Sequence, residues 1–216
     1  MRNLFLNVWL VAALSLLFST SNVIAQENIL VNPGFEKGPE GWTEWDSVEG
    51  VTGGEVSSEE FHGGAYSGKR WLTNPEELVY SVFIQELTIE AQKGDVITFS
   101  GWMMSPARDP LKNGAEAFLV IEFWKGTEKI GFPETERLRG QSQWKQYKVS
   151  GTAPEGTSTV KVCCFLFGPA GAKGTVYFDD LKIEVKSKGT AKDTAKDTGE
   201  VQEGGKLIKK SIYKDK

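Results

Sequence analysis

The sequence predicts an all-β fold, an antiparallel β-sandwich of the jelly-roll kind, on three observations. Apolar, β-favouring residues fall in short segments in which apolar and polar positions alternate. Glycine, proline and asparagine residues that favour turns separate these segments. No segment has the apolar spacing of an amphipathic helix. Many short strands joined by turns are typical of sandwiches, so we expect one domain of this class.

The chain begins with the features of a secretory signal peptide, residues 1–25. Arg2 provides a positive charge, an apolar run of 15 residues follows over 4–18, and a small residue, Ala25, closes the segment. The run is shorter than the ~20 residues that a membrane-spanning helix needs. We therefore expect cleavage after Ala25 and a soluble exported protein, either secreted or periplasmic.

The predicted domain, residues 26–185, is strongly acidic. The whole chain carries −4, but residues 186–216 hold nine lysines against five acidic residues and Arg2 adds one positive charge, which leaves −9 for the domain. An acidic domain argues against nucleic acid and anionic membranes as partners, and it is compatible with neutral glycans and with calcium. The polar tail repeats Ala-Lys-Asp-Thr and is predicted to be disordered, either as a linker or as a tether for a protein partner.

The mature chain is predicted to open with a short strand, residues 28–31, that ends in an Asn-Pro-Gly turn at 32–34. Trp42 and Trp45 follow a glycine-rich loop, and we expect both rings to pack beneath it. The polar segment 48–60 is predicted to be loop with one short strand.

Two further strands are predicted over residues 68–73 and 78–89. The first follows Gly63 and Gly64, which let backbone carbonyls approach one another or an ion closely. The single histidine of the chain, His62, is interpreted as an ordinary loop residue.

Two strands in the middle of the chain, 96–104 and 116–124, can be sorted by face. The expected inward side chains are Ile97, Phe99, Met103, Ala117, Leu119, Ile121 and Phe123. This alternation predicts that Trp102, Glu122 and Trp124 each point outward, away from the core. A shift of one residue would invert the assignment, so the alternative is that the tryptophans face the core.

Three more strands are predicted over residues 143–149, 159–167 and 174–185. Cys163 and Cys164 are neighbours on the second of these. Because neighbouring side chains on a strand point to opposite faces, a disulfide between them would be strained. We expect the exported fold to depend on its core or on a metal ion, not on disulfides.

The last predicted strand is interrupted by two adjacent carboxylates, Asp179 and Asp180. No lysine, arginine or histidine stands immediately beside them, and a carboxylate near a core edge needs a cation or hydrogen-bond donors. A hard cation such as calcium is one interpretation. The alternative is a bend at a strand end with both carboxylates in solvent.

Three short motifs follow one another along the chain. Residues 28–42 contain Leu-Val-Asn-Pro-Gly-Phe-Glu and a later Gly-Trp, residues 63–69 carry glycines, and residues 176–183 contain Phe-Asp-Asp. In this order they resemble motifs of the jelly-roll carbohydrate-binding modules of families four, nine, sixteen and twenty-two, and residues 94–102 and 144–154 resemble the middle strands. The resemblance implies a galactose-binding-domain-like sandwich that binds sugars.

The resemblance also implies a structural calcium ion. Members of this group commonly hold calcium with the glutamate of the opening motif, carbonyls of the second motif and the closing aspartate. Carried over by position, the side-chain ligands are Glu36 and Asp179, and the carbonyls lie near Gly63 and Gly64. Ligation by oxygen alone suits calcium.

The first functional hypothesis is a non-catalytic module that binds a polysaccharide or oligosaccharide. Sugar rings present C–H faces that stack on aromatic rings, and their hydroxyls need polar partners nearby. The candidate sugar-binding residues are Trp102, Trp124 and Glu122, with Trp71 and Arg70 as further contributors.

Two alternatives remain from the sequence. The first is a small jelly-roll glycosidase or lyase. A glycosidase needs two carboxylates across a sugar, and a lyase usually needs a base with a tyrosine, histidine or arginine nearby. Because Glu122 is the one strand carboxylate predicted beside aromatic rings, we expect no enzyme activity. The other alternative is a surface or assembly protein that holds a protein partner. Gly101 departs from the family pattern, because a large inward residue is usual at that position.

Overall fold

A computed structural model of the protein describes residues 28–188, and it contains two five-stranded antiparallel sheets packed as a sandwich. The strands are β1 (Thr43–Asp46), β2 (Thr52–Ser57), β3 (Ser67–Thr73), β4 (Val79–Leu87), β5 (Val96–Ser105), β6 (Glu116–Lys125), β7 (Glu128–Gly131), β8 (Ser142–Thr152), β9 (Thr159–Gly168) and β10 (Lys173–Lys186). The predicted all-β sandwich is confirmed. The signal peptide and all but the first three residues of the predicted tail lie outside the described residues.

Sheet I has the strand order β1-β4-β9-β6-β7, and sheet II has the order β2-β3-β10-β5-β8. Neighbours in each sheet are mostly far apart in the sequence, as in a jelly roll. Within residues 28–188, no helix is long and apolar enough to cross a membrane.

The core lies between the two sheets and is formed by the inward side chains that the alternation predicted. Ile97, Phe99 and Met103 of β5 face Leu119 and Phe123 of β6, and all five are buried. The outward assignment of Trp102, Glu122 and Trp124 is therefore correct for the face of each strand. Cys163 and Cys164 are free, with Cys164 in the core and Cys163 on the outer face of sheet I.

The first predicted strand is wrong, and β1 and β7 were missed. Residues 28–31 pair with no strand, because the backbone N–H and C=O of Val31 bond instead to the side chain of Gln85, at 2.8 and 3.0 Å. Trp42 is buried and stacks on Phe35, as expected. Trp45 does not pack beneath the loop, since it stands on β1 with half of its surface exposed.

The pair Asp179 and Asp180 forms a β-bulge in β10. Asp179 lies opposite Trp102 and the register then shifts, so that Asp180 and Leu181 together span the position of Gly101. Asp180 adopts a positive φ of 46°, which lets the strand resume with Leu181 pointing into the core. The Leu181 side chain fills the space that a Cβ of Gly101 would occupy. This packing explains the small residue at Gly101.

Candidate functional site

A groove of about 610 Å³ lies on the outer face of sheet I. It is lined by Trp45, Tyr80, Val82, Ile84, Phe118, Val120, Glu122, Trp124, Lys129, Phe132, Glu134, Arg137, Cys163 and Phe165. All five strands of sheet I or their adjoining loops contribute, so the groove crosses the sheet. At a strand spacing of ~4.8 Å, the distance from β1 to β7 is roughly 19 Å.

The floor of the groove is apolar, although it faces away from the core. Val82, Phe118, Val120 and Cys163 form a second buried cluster, separate from the core between the sheets. The rings of Phe118 and Phe165 stack with centroids 5.3 Å apart. The outer face of an antiparallel sheet is usually polar, and an apolar outer face commonly marks a binding surface.

Aromatic rings also stand at the two ends of the groove. Trp45 on β1 is 50% exposed, and Phe132 just after β7 is 65% exposed. Trp124 is partly exposed, and its strand β6 lies between β1 and β7 in the sheet. These rings leave apolar surface in contact with water at the places where a ligand would enter.

The carboxylate of Glu122 fixes the position of Trp124. Its Oε2 accepts a hydrogen bond from the Trp124 indole N–H at 2.9 Å, and its Oε1 pairs with the ammonium of Lys129. The ammonium groups of Lys129 and Lys161 lie 5.2 and 5.4 Å from the centroid of the Trp124 ring. Because Glu122 is itself buried, the predicted pair of ring and carboxylate is a rigid part of the groove.

A second ion cluster lies further along the groove. Arg137 bonds to Glu116 at 2.6 Å and to Glu134 at 2.9 Å, and its guanidinium lies 4.2 Å from the centroid of Phe118. The hydrogen bond to Glu116 raises the pKa of Arg137. The charged groups that line the groove are thus paired with one another.

Trp102 and Trp71 do not belong to this groove. Both are on the outer face of sheet II, on β5 and β3, on the other side of the molecule from Trp124. The imidazole of His62 stacks on Trp102 with centroids 3.8 Å apart, and Trp144 contacts that imidazole edge-on at 5.8 Å. The structure therefore separates Trp102 and Trp124, which the sequence analysis had grouped in one site.

The prediction that Arg70 contacts sugar is wrong, because its side chain is fully buried. Arg70 points inward from β3 and bonds across the sandwich to Glu44 at 3.1 Å and to Asp46 at 3.3 Å. The side chains of Arg70 and Leu72 both point inward, because they are two residues apart on the same strand. The carboxylates that pair with Arg70 lie on β1, far away in the sequence, so no local pattern revealed the pairing.

The residues expected at a calcium site do lie close together. Asp179 is fully buried and its Oδ2 accepts hydrogen bonds from the backbone N–H groups of His62 at 2.7 Å and Gly63 at 3.0 Å. Glu36 Oε1 accepts bonds from the N–H groups of Ala65 at 2.9 Å and Tyr66 at 3.1 Å. The loop that contains the two glycines therefore joins the opening motif to β10.

The carboxylates of Glu36 and Asp179 offer oxygen atoms, the kind of ligand that calcium prefers. A Cβ on Gly63 or Gly64 would collide with the carboxylates of Asp180 or Glu36, so the loop packs closely against these side chains, and Gly64 has a positive φ of 65° that favours glycine. Burial raises the pKa of Asp179 to about 6. The imidazole Nδ1 of His62 lies 2.6 Å from Asp180 Oδ2, whereas no lysine or arginine of residues 28–188 forms an ion pair with Glu36 or Asp179.

Side chains alone do not complete such a site. Within residues 28–188, no three His, Cys, Asp or Glu side chains form a metal-binding group. Backbone carbonyls near Gly63 and Gly64 would have to bind the metal ion together with Glu36 and Asp179.

Several groove residues were missed from the sequence, among them Trp45, Phe132 and Arg137. Trp45 and Phe132 lie in or beside the two short edge strands, whose four residues give no clear alternation. Phe118, Phe165 and Phe167 were a usable signal, because alternation along β6 and β9 places them on the face opposite the core residues Leu119, Cys164 and Leu166.

The sequence matches no protein-family model and no curated protein. The fold is similar to TmCBM61, a carbohydrate-binding module solved with β-1,4-galactotriose, with a TM-score of 0.52 and 21% identity over 74% of this chain and 99% of that chain. It is also similar to the CBM22-1 xylan-binding domain of Paenibacillus barcinonensis Xyn10C, with a TM-score of 0.51 and 18% identity over 70% and 90% of the two chains.

A third similar structure is the enzymatically active domain of tailspike protein 4 from bacteriophage CBA120, with a TM-score of 0.56 and 13% identity. This match covers 74% of the present chain but 21% of the tailspike chain. At these identities the similarities show the fold alone. The chain has the jelly-roll, galactose-binding-domain-like fold found in carbohydrate-binding modules, as its motifs indicated.

Proposed function

We propose that this chain is a non-catalytic carbohydrate-binding module of an exported protein, and that it binds a polysaccharide in the groove of sheet I. The observation that carries the proposal is the apolar groove across that sheet, with exposed rings at Trp45 and Phe132 and the fixed pair of Trp124 and Glu122. The structural similarity to modules solved with galactotriose or described as xylan-binding supports the same class of ligand.

The groove provides both kinds of contact that a sugar chain needs. The faces of Trp45, Trp124 and Phe132 offer flat apolar surface for the C–H faces of sugar rings. Carboxylate oxygens of Glu122 and Glu134 can accept hydrogen bonds from hydroxyl groups. A length of roughly 19 Å, from the strand spacing, suits an oligosaccharide segment better than a single sugar.

The charge pairing in the groove favours binding over catalysis. Glycoside hydrolysis needs one carboxyl group that is protonated and donates its proton to the leaving group. Glu122 is bonded to the Trp124 indole and to Lys129, and Glu134 is bonded to Arg137, so both carboxyl groups of the groove are already engaged by other side chains of the chain. We therefore propose that the groove holds the sugar without cleaving it.

We further propose that one calcium ion stabilises the domain, with Glu36 and Asp179 as side-chain ligands. The burial of Asp179, and the glycine loop that brings Glu36 close to it, support this assignment. The ion would tie the opening motif to the last strand, remote from the groove of sheet I. Export follows from the signal peptide expected over residues 1–25.

The test is affinity electrophoresis of the mature protein through gels that contain β-glucan, xylan, galactan, mannan or no polysaccharide, with reducing sugar assayed in parallel. We expect retardation by at least one polymer without release of reducing sugar. Trp124→Ala should abolish the retardation, whereas Trp102→Ala, a matched change on sheet II, should leave it intact.

The opposite result would relocate the site to sheet II, where Trp102 stacks on His62. If no polymer retards the protein, the exposed rings of Trp45 and Phe132 would instead favour a protein partner in the same groove.

A further inference from the structure

The edge strand β1 has few contacts of its own, yet it holds one end of the groove. It consists of four residues and pairs with β4 alone in sheet I. Trp45 lies opposite Val82, so it points outward into the groove, while Glu44 and Asp46 lie opposite Phe83 and Ser81 and point inward. So short an edge strand would be expected to fray unless something else holds it.

Arg70 holds this strand from the opposite sheet. Its Nη2 lies 3.1 Å from Glu44 Oε2, and its Nη1 lies 3.3 Å from Asp46 Oδ2. Nη2 also donates to the carbonyl of Val82 at 2.9 Å, and the guanidinium lies 3.7 Å from the centroid of Phe83. The two carboxylates that flank Trp45 are therefore both bound to one buried cation.

A buried ion cluster of this kind is a costly way to hold a strand. Arg70 is fully buried, burial lowers its pKa, and neither its Nε nor Asp46 Oδ1 has a hydrogen-bond partner among the described residues. Apolar packing would often stabilise a fold as well as such a cluster does, whereas a buried charge can enforce one register. Here a slip of β1 by one residue would turn Trp45 toward the guanidinium and the carboxylates toward the groove.

We propose that Arg70 is a positioning residue for ligand binding, which sets the register of β1 through Glu44 and Asp46 and so presents Trp45 to the groove. The effect on ligand binding rests on the proposed function. Its structural part, control of β1, stands independently of any ligand.

The first experiment therefore uses the mature protein without ligand. Amide hydrogen exchange is compared for Arg70→Met and for the control Arg108→Met. Arg108 pairs with Glu59 and Glu60, and all three residues lie in loops that follow strands of sheet II. We expect Arg70→Met to lower the protection of the β1 amides by about tenfold or more while those of β6 and β9 keep theirs, because opening is local. Arg108→Met should leave the protection of β1 unchanged.

A uniform loss of protection over both sheets in Arg70→Met would show a general structural role and overturn the proposal. Should Arg70→Met fail to fold, Glu44→Gln removes one of the two carboxylates and leaves the pair with Asp46. It should lower the protection of β1 in the same local pattern, and unchanged protection of β1 would overturn the proposal.

The second experiment is a double-mutant cycle with the polysaccharide that gives the strongest retardation. We expect Arg70→Met to weaken binding about fivefold in the wild-type background and to have almost no effect in a Trp45→Ala background, because it acts through that ring. An equal loss in both backgrounds would overturn the proposal. If the wild-type protein binds no polysaccharide, the proposed function fails, and hydrogen exchange still decides whether Arg70 controls β1.

Discussion

Single residues on the outer face of sheet I determine what the groove can bind. Glu122 is buried, yet its two oxygens serve the indole of Trp124 and the ammonium of Lys129. A ring that is held in this way loses little freedom when a sugar stacks on it, so its contribution to affinity is not offset by ordering.

Replacing Glu122 by glutamine should weaken polysaccharide binding about three- to tenfold, the range expected for one hydrogen-bonded contact. Glutamine keeps an acceptor for the Trp124 indole but loses the charge that attracts Lys129. Isothermal titration calorimetry would measure the change. Glu128→Gln is the matched control, because Glu128 is exposed on β7 and does not line the groove. Equal effects of the two variants would contradict the role of Glu122 in holding Trp124.

A side chain at Gly101 should destabilise the fold. A Cβ there would collide with the Leu181 side chain in the core, so Gly101→Ala should lower the free energy of unfolding by about 1–3 kcal/mol, as overpacking does. Urea denaturation would measure it. Adding Leu181→Ala should relieve the collision, so the double variant should lose less stability than the two single losses together. Additive losses would show that the two positions do not share this space.

At the scale of elements, the bulge in β10 and the edge strand β1 explain most of what alternation could not predict. In the bulge, both Asp180 and Leu181 lie opposite the single residue Gly101 of β5. Leu181 therefore points into the core although it directly follows two carboxylates. The four residues of β1 are too few for periodicity to show which of them face inward. Both features depend on the neighbouring strand and not on the segment itself.

Strand β9 carries both thiols, and neither should react in the native state. Burial raises the pKa of Cys163 and of Cys164, and the thiolate is the reactive form. At pH 8, Ellman's reagent should titrate two thiols per chain in denaturant and react at least about tenfold more slowly without it. Fast reaction of one thiol in the native protein would mean that the floor of the groove opens to solvent at Cys163.

At the scale of the whole molecule, the glycine loop and its carboxylates connect the opening motif to the last strand. Glu36 binds the N–H groups at Ala65 and Tyr66, and Asp179 binds those at His62 and Gly63. A cation bound there would stabilise the fold as a unit, because a ligand that binds only the folded state raises its stability by mass action.

Removing calcium should therefore lower the melting temperature. We expect EDTA to reduce the Tm by several degrees, about 2–4 °C for each kcal/mol of stabilisation lost in a domain of this size, and added calcium should restore it. Magnesium should restore it less, because it prefers a smaller octahedral site. Glu36→Gln should abolish the response to EDTA. A Tm that EDTA leaves unchanged in the wild-type protein would refute the calcium proposal.

The amino-acid sequence by itself determined the fold class and the face of most long strands. Side chains alternate along a strand with a period of two, so the order of residues in β5, β6 and β9 was enough to separate core from surface. The family resemblance carried by the motifs at 28–42, 63–69 and 176–183 also implied that Glu36, Gly63 and Asp179 lie close together, and the structure shows that they do.

Only the tertiary structure decided which strands share a sheet. Strand order depends on pairing between segments far apart in the chain, and no local pattern records it. For this reason Trp102 and Trp124 were grouped although they stand on opposite sheets, and Arg70 was assigned to the surface although Glu44 and Asp46 hold it inside. The groove exists because β1, β4, β9, β6 and β7 lie side by side, and that arrangement is a property of the folded chain.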